Sequence, residues 1–200
     1  MTKTLDVQHS TSAERILETA LDLFAMRGYD ATAVREICEA AGITKPTLYH
    51  FYGSKDGVFQ ALVRSGFLQY RALVDVALAT PGSFRQRVKM VARAVFENAS
   101  RQPRFWRFMH SVIWAPPGTA LPQTESCTQF YDGVVGALAL GAEEAVARGE
   151  LAPGPTDVRM LILMGAISEA ATGYVIAGKP ELTPELADQL VDSILDGWKI

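Results

Sequence analysis

The chain has 200 residues, of which 48% are hydrophobic and 20% are charged, a composition typical of soluble globular proteins and unlike that of disordered chains. Its longest apolar runs, 133–142 and 160–167, fall far short of the roughly 20 residues that span a bilayer, and residues 1–15 lack the apolar segment of a secretory signal, so we expect a cytoplasmic protein without a membrane partner. The formal net charge is −3, and residues 1–71 carry eight cationic and eight anionic side chains, which excludes a basic block that binds nucleic acid indiscriminately.

The first predicted helix begins at Thr11, where the T-x-x-E pattern with Glu14 is typical of a capping box. Apolar residues follow at helical spacing, and Gly28 ends the helix. Thr32 is predicted to cap a second, short helix, and Gly42 supplies the permissive backbone of a sharp turn after it.

A third short helix follows this turn. Thr44 is its predicted cap, and Pro46 falls in its first turn, where the missing N–H has no consequence. Leu48 is expected to point inward and complete a small three-helix core.

The rest of the chain is also predicted to be helical, because none of it alternates like a strand for long enough. Proline and glycine residues separate the predicted helices, which span 54–79, 83–100, 104–115, 123–148, 156–177 and a last helix from 183 or 184. The fold class is therefore all-α, with nine helices. We expect a helix-turn-helix head, residues 1–53, and a larger helical body, residues 54–200.

The segment 31–59, ATAVREICEAAGITKPTLYHFYGSKDGVF, is the most specific pattern in the chain. A short helix, a glycine turn and a second helix with polar and aromatic side chains form an arrangement suited to the DNA major groove. Residues 11–59 resemble the DNA-binding head of the tetracycline-repressor (TetR) family. Gly57 departs from that family, because a longer helix former is usual at its position; it is expected only to soften the start of its helix.

Each polar residue of this segment has a possible role at DNA. Thr32 and Thr44 lie at helix N-termini, where a phosphate can accept hydrogen bonds, and Lys45 can reach a phosphate or a guanine edge. Thr47 suits a thymine methyl group, whereas Tyr49 and His50 suit phosphate oxygens. Lys55 resembles the phosphate-binding lysine of the family. The predicted DNA-binding residues are Thr32, Thr44, Lys45, Pro46, Thr47, Tyr49, His50 and Lys55.

These interpretations have structural alternatives. A helix-turn-helix pattern also arises from ordinary helix packing, Tyr49 can be a core aromatic, and His50 can be an ordinary surface histidine. The chain has no motif of a catalytic triad, zinc protease or phosphate-binding loop, so we expect no enzyme, no cofactor and no metal site. Cys38 and Cys127 are expected to be buried thiols, with a redox role as the alternative.

The body carries an unusually aromatic segment, PRFWRFMHSVIW at residues 103–114. Its side chains either form a plain core or line an apolar cavity with a few polar groups. The family resemblance implies a cavity that holds a small, largely apolar or aromatic effector. The candidate effector-binding residues are Phe105, Trp106, Met109, His110, Trp114, Phe130, Tyr131 and Tyr174.

The last two predicted helices carry apolar stripes at helical spacing. In a monomer these faces would pack on the body, whereas the family pairs its last two helices across a two-fold axis as a four-helix bundle. The predicted dimer interface comprises Leu161, Gly165, Ser168, Ala187, Leu190, Val191, Ile194, Leu195 and Trp198.

The sequence therefore predicts a homodimeric transcriptional regulator, a repressor by the habit of the family, that binds a palindromic DNA operator and is released by its effector. The alternative is an all-helical small-molecule-binding protein, or an enzyme, that retains the head only as a structural element.

Overall fold

The structure is a computed structural model that describes the backbone of residues 2–115 and 125–197 and the side chains of residues 12–115 and 133–197. Within these ranges the regular secondary structure is entirely α-helical and comprises nine helices, which confirms the predicted fold class. The helices are α1 Thr2–Arg27, α2 Val34–Ala41, α3 Lys45–Tyr52, α4 Lys55–Ala79, α5 Phe84–Arg101, α6 Pro103–Ile113, α7 Glu125–Ala147, α8 Thr156–Ala177 and α9 Pro184–Asp196.

The start of α1 differs from the prediction. The helix begins at Thr2 and runs through Thr11 without a break, so Thr11 is not an N-cap. Residues 2–10 contain neither glycine nor proline, and nothing in this stretch therefore interrupts helical hydrogen bonding. The capping-box pattern at Thr11 and Glu14 was a local match inside a longer helix.

Most of the other helix boundaries follow the predicted signals closely. Gly42 ends α2 with a left-handed backbone, φ 63°, and its N–H donates to the carbonyl groups of Cys38 and Glu39. Ser83 caps α5 by accepting a hydrogen bond from the Gln86 N–H, and the Gln86 side chain accepts one from the Ser83 N–H in return.

The chain forms two compact units. The first unit comprises residues 1–66 and 107–125, and the second comprises residues 67–106 and 126–200. The three boundaries between them therefore fall within α4, within α6 and at the start of α7. These units describe packing; the division into a DNA-binding head, 1–53, and a regulatory body, 54–200, stays a prediction.

The core of the first unit joins the three N-terminal helices to the start of α4. Its buried side chains include Ile16, Ala20, Phe24, Ile37, Cys38, Leu48, Val58, Phe59, Leu62, Val63, Phe108 and Met109. Leu48, on the inner side of α3, is fully buried as predicted. Aromatic rings dominate this core: the Phe59 ring lies 5.4 Å from the Phe108 ring, centroid to centroid.

The second unit has a larger apolar core, built from one face each of α5, α7, α8 and α9 together with Val74 and Ala77 near the end of α4. An ionic ladder also joins α5 to α9: cations at every fourth residue of α5 face carboxylates at every fourth residue of α9. Arg85 Nη2 lies 2.8 Å from Asp196 Oδ1, and Lys89 Nζ lies 2.7 Å from Asp192 Oδ2. Arg93 completes the ladder, with Nε 2.7 Å from Asp188 Oδ1.

Candidate nucleic-acid interface

Helix α3 separates its residues into an inner and an outer side. Leu48 is fully buried, whereas Lys45, Pro46, Tyr49 and His50 are exposed. Tyr49 exposes 47% of its surface, whereas the ring of a core tyrosine would be largely buried. The alternative that Tyr49 is a core aromatic is therefore wrong.

The start of α3 is held in place by two threonines. Thr44 Oγ1 accepts a hydrogen bond from the Thr47 N–H at 3.4 Å, and the two hydroxyl oxygens lie 2.8 Å apart. Thr44 is thus the N-cap, as predicted. Thr47 is half-buried and shares its hydroxyl group with the cap, which leaves its methyl group as the part suited to a base contact.

Thr32 does not have its predicted role. It is only 1% exposed, and its hydroxyl group donates to the Gly28 carbonyl at 2.8 Å. The N-cap of α2 is Ala33, whose N–H donates to Glu36 Oε2 at 2.8 Å. The prediction that Thr32 caps α2 and offers its hydroxyl group to a phosphate is therefore wrong, because a buried hydroxyl group with an internal acceptor does not reach DNA.

Lys55 has internal partners in this structure. Its Nζ donates to the carbonyl oxygens of Tyr29, at 2.9 Å, and Thr32, at 3.0 Å. The ammonium group also lies 4.0 Å from the centroid of the Tyr29 ring. The phosphate contact that the family resemblance implies for Lys55 stays a prediction. The internal hydrogen bonds and the ring contact account for the position of the side chain in this structure.

The structure explains why residue 57 is glycine, which the sequence did not reveal. A Cβ atom at this position would lie 1.8 Å from the Tyr52 carbonyl oxygen, far inside van der Waals contact. The end of α3 therefore packs directly against the first turn of α4, and only glycine permits this approach.

Sequence reasoning missed three residues of this region. Arg35 is an exposed cation on α2, 3.6 Å from Glu39. Tyr29 and Asp56 form a hydrogen bond in which the phenol hydroxyl donates to the carboxylate. Burial, and then the hydrogen bond to Asp56, raise the pKa of Tyr29 above its usual value, so its hydroxyl group keeps its proton. The partners lie 27 positions apart, and no local pattern indicates such a pair.

The candidate effector residues fall in both compact units. Met109, His110 and Trp114 belong to the first unit, and Phe105, Trp106 and Tyr174 belong to the second. The side chains of Phe130 and Tyr131 lie outside the described residues. In the second unit, the Trp106 indole N–H donates to Asn98 Oδ1 at 2.9 Å, and the Trp106 ring lies 6.5 Å from the Tyr70 ring. Trp114 is 73% exposed, which argues against its lining a closed cavity within the first unit.

The predicted dimer residues divide into an inner and an outer group. Ala187, Val191 and Leu195 are fully buried in the core of the second unit, so their assignment to a dimer interface is wrong. Ser168 is half-buried. Leu161 and Gly165 are exposed, and Leu190 and Ile194 are partly exposed. Trp198 lies outside the described residues.

Three further features bear on the class of function that this protein can have. Among the residues with described side chains, no group of three or more His, Cys, Asp or Glu residues could hold a metal ion. Cys38 is buried, and its burial raises the pKa of the thiol, whereas the side chain of Cys127 is not described. By length and composition α8 could cross a bilayer, a test that core helices of soluble proteins also pass.

Comparisons with known proteins agree with this geometry. The family model described as "Bacterial regulatory proteins, tetR family" matches residues 16–62, which contain α2, α3 and the start of α4. The HTH-type transcriptional repressor KstR2 of Rhodococcus jostii (strain RHA1) is 27% identical over 91% of this chain and 88% of its own length. The HTH-type transcriptional activator FasR of Mycolicibacterium smegmatis is 30% identical over 57% of this chain and 54% of its own length.

Solved structures share the fold over nearly the whole chain. A TetR family transcription regulator from Marinobacter aquaeolei VT8 has a TM-score of 0.78 at 18% identity, with 96% of this chain and 98% of that chain covered. The fatty acid degradation regulator FadR from Bacillus halodurans has a TM-score of 0.78 at 18% identity, with 93% and 99% covered.

Proposed function

Since this chain belongs to the TetR family of transcriptional regulators, we propose that it is a homodimeric repressor that binds a palindromic DNA operator and is released by a small, largely apolar or aromatic effector. The observation that carries the DNA-binding part is the division of α3. Its inner side is anchored by fully buried Leu48, and its outer side offers Lys45, Tyr49 and His50 to the solvent. This is the geometry that inserts a helix into the major groove.

The balanced charge of the N-terminal region limits how much non-specific electrostatic attraction can contribute to DNA binding by α3. With eight cations and eight anions among residues 1–71, the electrostatic attraction to bulk DNA is weak. Specific contacts from α3 then have to supply most of the discrimination, and two copies of the helix on a palindrome double the number of these contacts. We propose a repressor because the relative KstR2, which matches this chain along most of its length, is named a transcriptional repressor.

The experiment is a mobility shift with duplex DNA from the region immediately upstream of the chain's own gene, at a stated salt concentration. We expect a shift that survives an excess of non-specific competitor and that a scrambled duplex of equal length and composition does not give. In vitro transcription of the same fragment by purified RNA polymerase then tests the repressor role, because a repressor lowers the transcript level. A shift that the scrambled duplex reproduces would leave the alternative, a small-molecule-binding protein or enzyme with a structural head.

The homodimer is supported by apolar surface on α8. Leu161 is 55% exposed and Ile162 is 49% exposed, and only 28% of the most apolar 18-residue window of this helix is buried within one subunit. Exposed Gly165 between turns permits close approach of a second helix, and Leu190 and Ile194 of α9 are partly exposed. A second copy that covers the same face would remove this surface from water in a two-fold contact.

The dimer is tested by Leu190→Asp, because a charge buried in an apolar interface is strongly unfavourable. We expect monomers by sedimentation, together with poor DNA affinity. Gln189→Asp is the matched control, since Gln189 is the exposed neighbour of Leu190 and the same charge there should leave the dimer intact. A dimeric Leu190→Asp variant would contradict this interface.

The effector site is proposed around Trp106 in the second unit. Trp106 is half-buried, its indole N–H is oriented by Asn98, and the half-buried Tyr70 ring lies beside it. Aromatic faces with a few oriented polar groups suit a small apolar or aromatic ligand. Trp106→Ala should change the effector concentration that releases DNA without changing DNA affinity in the absence of effector. An unchanged dose response would show that Trp106 is a core residue with no role in effector binding.

A further inference from the structure

We propose that Glu36 is a positioning residue of the DNA-binding region, whose carboxylate joins the end of α1 to the start of α2. The inference rests on the proposed DNA-binding function and adds to it a residue that acts through the position of α2 and α3. It is supported by the contacts among Arg27, Ala33 and Glu36, all within the first compact unit.

The carboxylate of Glu36 binds both ends of the connection between α1 and α2. Its Oε1 atom lies 3.0 Å from Nη1 of Arg27, which is the last residue of α1. Its Oε2 atom accepts a hydrogen bond at 2.8 Å from the N–H of Ala33, the N-cap of α2. One side chain therefore closes this connection from both sides.

The start of α2 has an unusual N-cap, the alanine Ala33. A serine, threonine, aspartate or asparagine at an N-cap accepts a hydrogen bond from the first turn, whereas alanine has no side-chain oxygen. Glu36 supplies the reciprocal bond of a capping box, in which the third helical residue accepts from the N-cap N–H. Because α2 has only eight residues, a length that is marginal for an isolated helix, we expect its start to depend on this bond.

The inner side of α2 does not by itself determine the direction of the helix. Ile37 and Cys38 are buried, but the burial of apolar surface is a non-directional contribution. The two contacts of Glu36 join defined donor and acceptor atoms, so they restrict how α2 can rotate or slide beside the end of α1. Since α3 follows α2 directly after the Gly42 turn, the position of α2 also affects how α3 presents its exposed side.

Glu39, three residues later on α2, is a matched control for Glu36. It also faces an arginine, but its partner Arg35 lies on the same helix, at 3.6 Å. The side chain of Glu39 is 66% exposed, whereas that of Glu36 is 33% exposed. Because DNA is a polyanion, removal of either carboxylate should favour binding through the net charge in the same way. The ratio of the two variants therefore isolates the effect of position.

The test compares Glu36→Ala with Glu39→Ala in a mobility shift with the upstream duplex, at one stated salt concentration. The temperature is one at which circular dichroism shows both variants to be folded. We expect Glu36→Ala to bind at least about threefold more weakly than Glu39→Ala, because the loss of one hydrogen bond changes an equilibrium by about two- to tenfold. A ratio below about threefold would overturn the proposal.

Glu36→Gln is the conservative variant of the same position. The amide oxygen of glutamine can accept from the Ala33 N–H as in a capping box, whereas the charge that attracts Arg27 is lost. Glu36→Gln and Glu36→Ala remove the same net charge, so their DNA affinities can be compared directly. We expect Glu36→Gln to recover part of the affinity that Glu36→Ala loses. Equal affinity in the two variants would overturn the role of the Ala33 contact, and the proposal with it.

A second measurement needs no DNA, so its failure can be distinguished from a failure of the proposed function. Amide hydrogen exchange is followed in the free protein. The amide of Ala33 should exchange about fivefold faster in Glu36→Ala than in the wild type, because its acceptor is removed. In Glu39→Ala it should be unchanged, and the amide of Ala20, buried in α1, should be unchanged in every variant.

Arg27→Met tests whether Glu36 depends on its partner on α1. Arg27 is expected to affect Ala33 only through the carboxylate that both residues share. The loss of this partly exposed ion pair should make the Ala33 amide exchange about twofold faster. Wild-type exchange at Ala33 in Glu36→Ala or in Arg27→Met would overturn the proposal even if the wild-type protein binds DNA.

Discussion

Helices α3 and α9 begin in the same way and present their polar faces differently. Each has a threonine N-cap and a proline in its first turn: Thr44 accepts from the Thr47 N–H, and Thr183 accepts from the Leu186 N–H at 3.1 Å. In α3, of the first unit, the outer side exposes Lys45 and Tyr49 to solvent. In α9, of the second unit, the acidic side is bound to the cations of α5.

The difference shows that local signals determine where a helix starts but not what its polar face does. The carboxylates of Asp188 and Asp192 have partners within their own unit, and that polar face therefore serves the internal structure. The polar face of α3 is exposed, in a unit whose sequence matches the family of DNA-binding regulators. A polar helix face has to be examined for partners before it is assigned to a ligand.

The largest effect is expected from Gly57→Ala. The new Cβ would meet the Tyr52 carbonyl oxygen at 1.8 Å, which is main chain and cannot rotate away. We expect the first unit to lose about 1–3 kcal/mol of unfolding free energy, measured by denaturant titration. The control in the second unit is Gly136→Ala in α7, where no atom lies within 4 Å of the new Cβ.

The control substitution Gly136→Ala should change the unfolding free energy in the opposite direction. Alanine is the better helix former, and Gly136→Ala should add up to about 1 kcal/mol to the unfolding free energy. A stabilising Gly57→Ala would mean that α3 and α4 do not approach as closely as described.

The second effect concerns the exposed side of α3. Lys45→Ala and Tyr49→Ala should each weaken operator binding by about tenfold, because each removes a contact to the phosphate backbone or a base, and each such contact contributes about 1–3 kcal/mol. Surface substitutions of this kind should change the unfolding free energy by less than about 0.5 kcal/mol. Titration calorimetry or mobility shift measures the first quantity, and denaturant titration measures the second.

The matched control for this prediction lies on α9. Gln189→Ala changes an exposed polar residue of the second unit and should alter neither quantity. Wild-type DNA affinity in both α3 variants would remove the assignment of this face to DNA.

The third prediction tests the two caps as a pair. Thr44→Ala and Thr183→Ala each remove one hydrogen bond to a helix N-terminus and should each cost about 1 kcal/mol of stability. Because the two caps are equivalent locally, the losses should agree within a factor of two, whereas only Thr44→Ala should also weaken DNA binding. Serine at either position keeps the hydroxyl group and should restore most of the stability. Equal DNA affinity in both alanine variants would show that the cap of α3 does not matter for binding.

The smallest effect is expected at the ionic ladder. Hydrogen bonds from Lys89 and then Arg85 lower the pKa of Asp192, and a hydrogen bond from Arg93 lowers the pKa of Asp188. A lowered pKa in the folded state adds stability at pH values above the unfolded value of about 4, and this stability is lost as the pH falls through the folded value. Asp192→Asn should therefore lower the midpoint of thermal unfolding slightly at neutral pH.

The difference between wild type and Asp192→Asn should shrink below about pH 4, because the wild-type carboxylates then take up protons and lose their attraction to the cations. High salt should shrink it in the same way, since exposed ion pairs are screened. A difference that stays constant from pH 7 to pH 2 would show that the substitution acts through something other than charge.

Much of the candidate site was predictable from residues close together in the chain. The Gly42 turn, the Thr44 cap and the burial of Leu48 between exposed neighbours all follow from spacing within one or two helical turns. Thr32 was misassigned, because a threonine before a helix looks like a cap whether its hydroxyl group faces the helix or, as here, the preceding loop.

The long-range contacts of the first unit were not predictable in this way. The partners of Lys55 lie 23 and 26 residues away, and the hydrogen bond from Tyr29 to Asp56 spans 27 positions. The same limit applies to α9: its stripe of Ala187, Val191 and Leu195 has the periodicity of an interface, but these side chains are covered by their own unit.

Periodicity, caps and turn residues therefore determined the all-α class, the position of the helix-turn-helix and the side of α3 that faces inward, because each depends on hydrogen bonds and apolar spacing within a few residues. Only the tertiary structure decided which polar groups have internal partners, why Gly57 must be glycine, and which apolar side chains of α8 and α9 remain exposed. These properties depend on atoms that approach across tens of residues, and the chain brings such atoms together only when its cores pack.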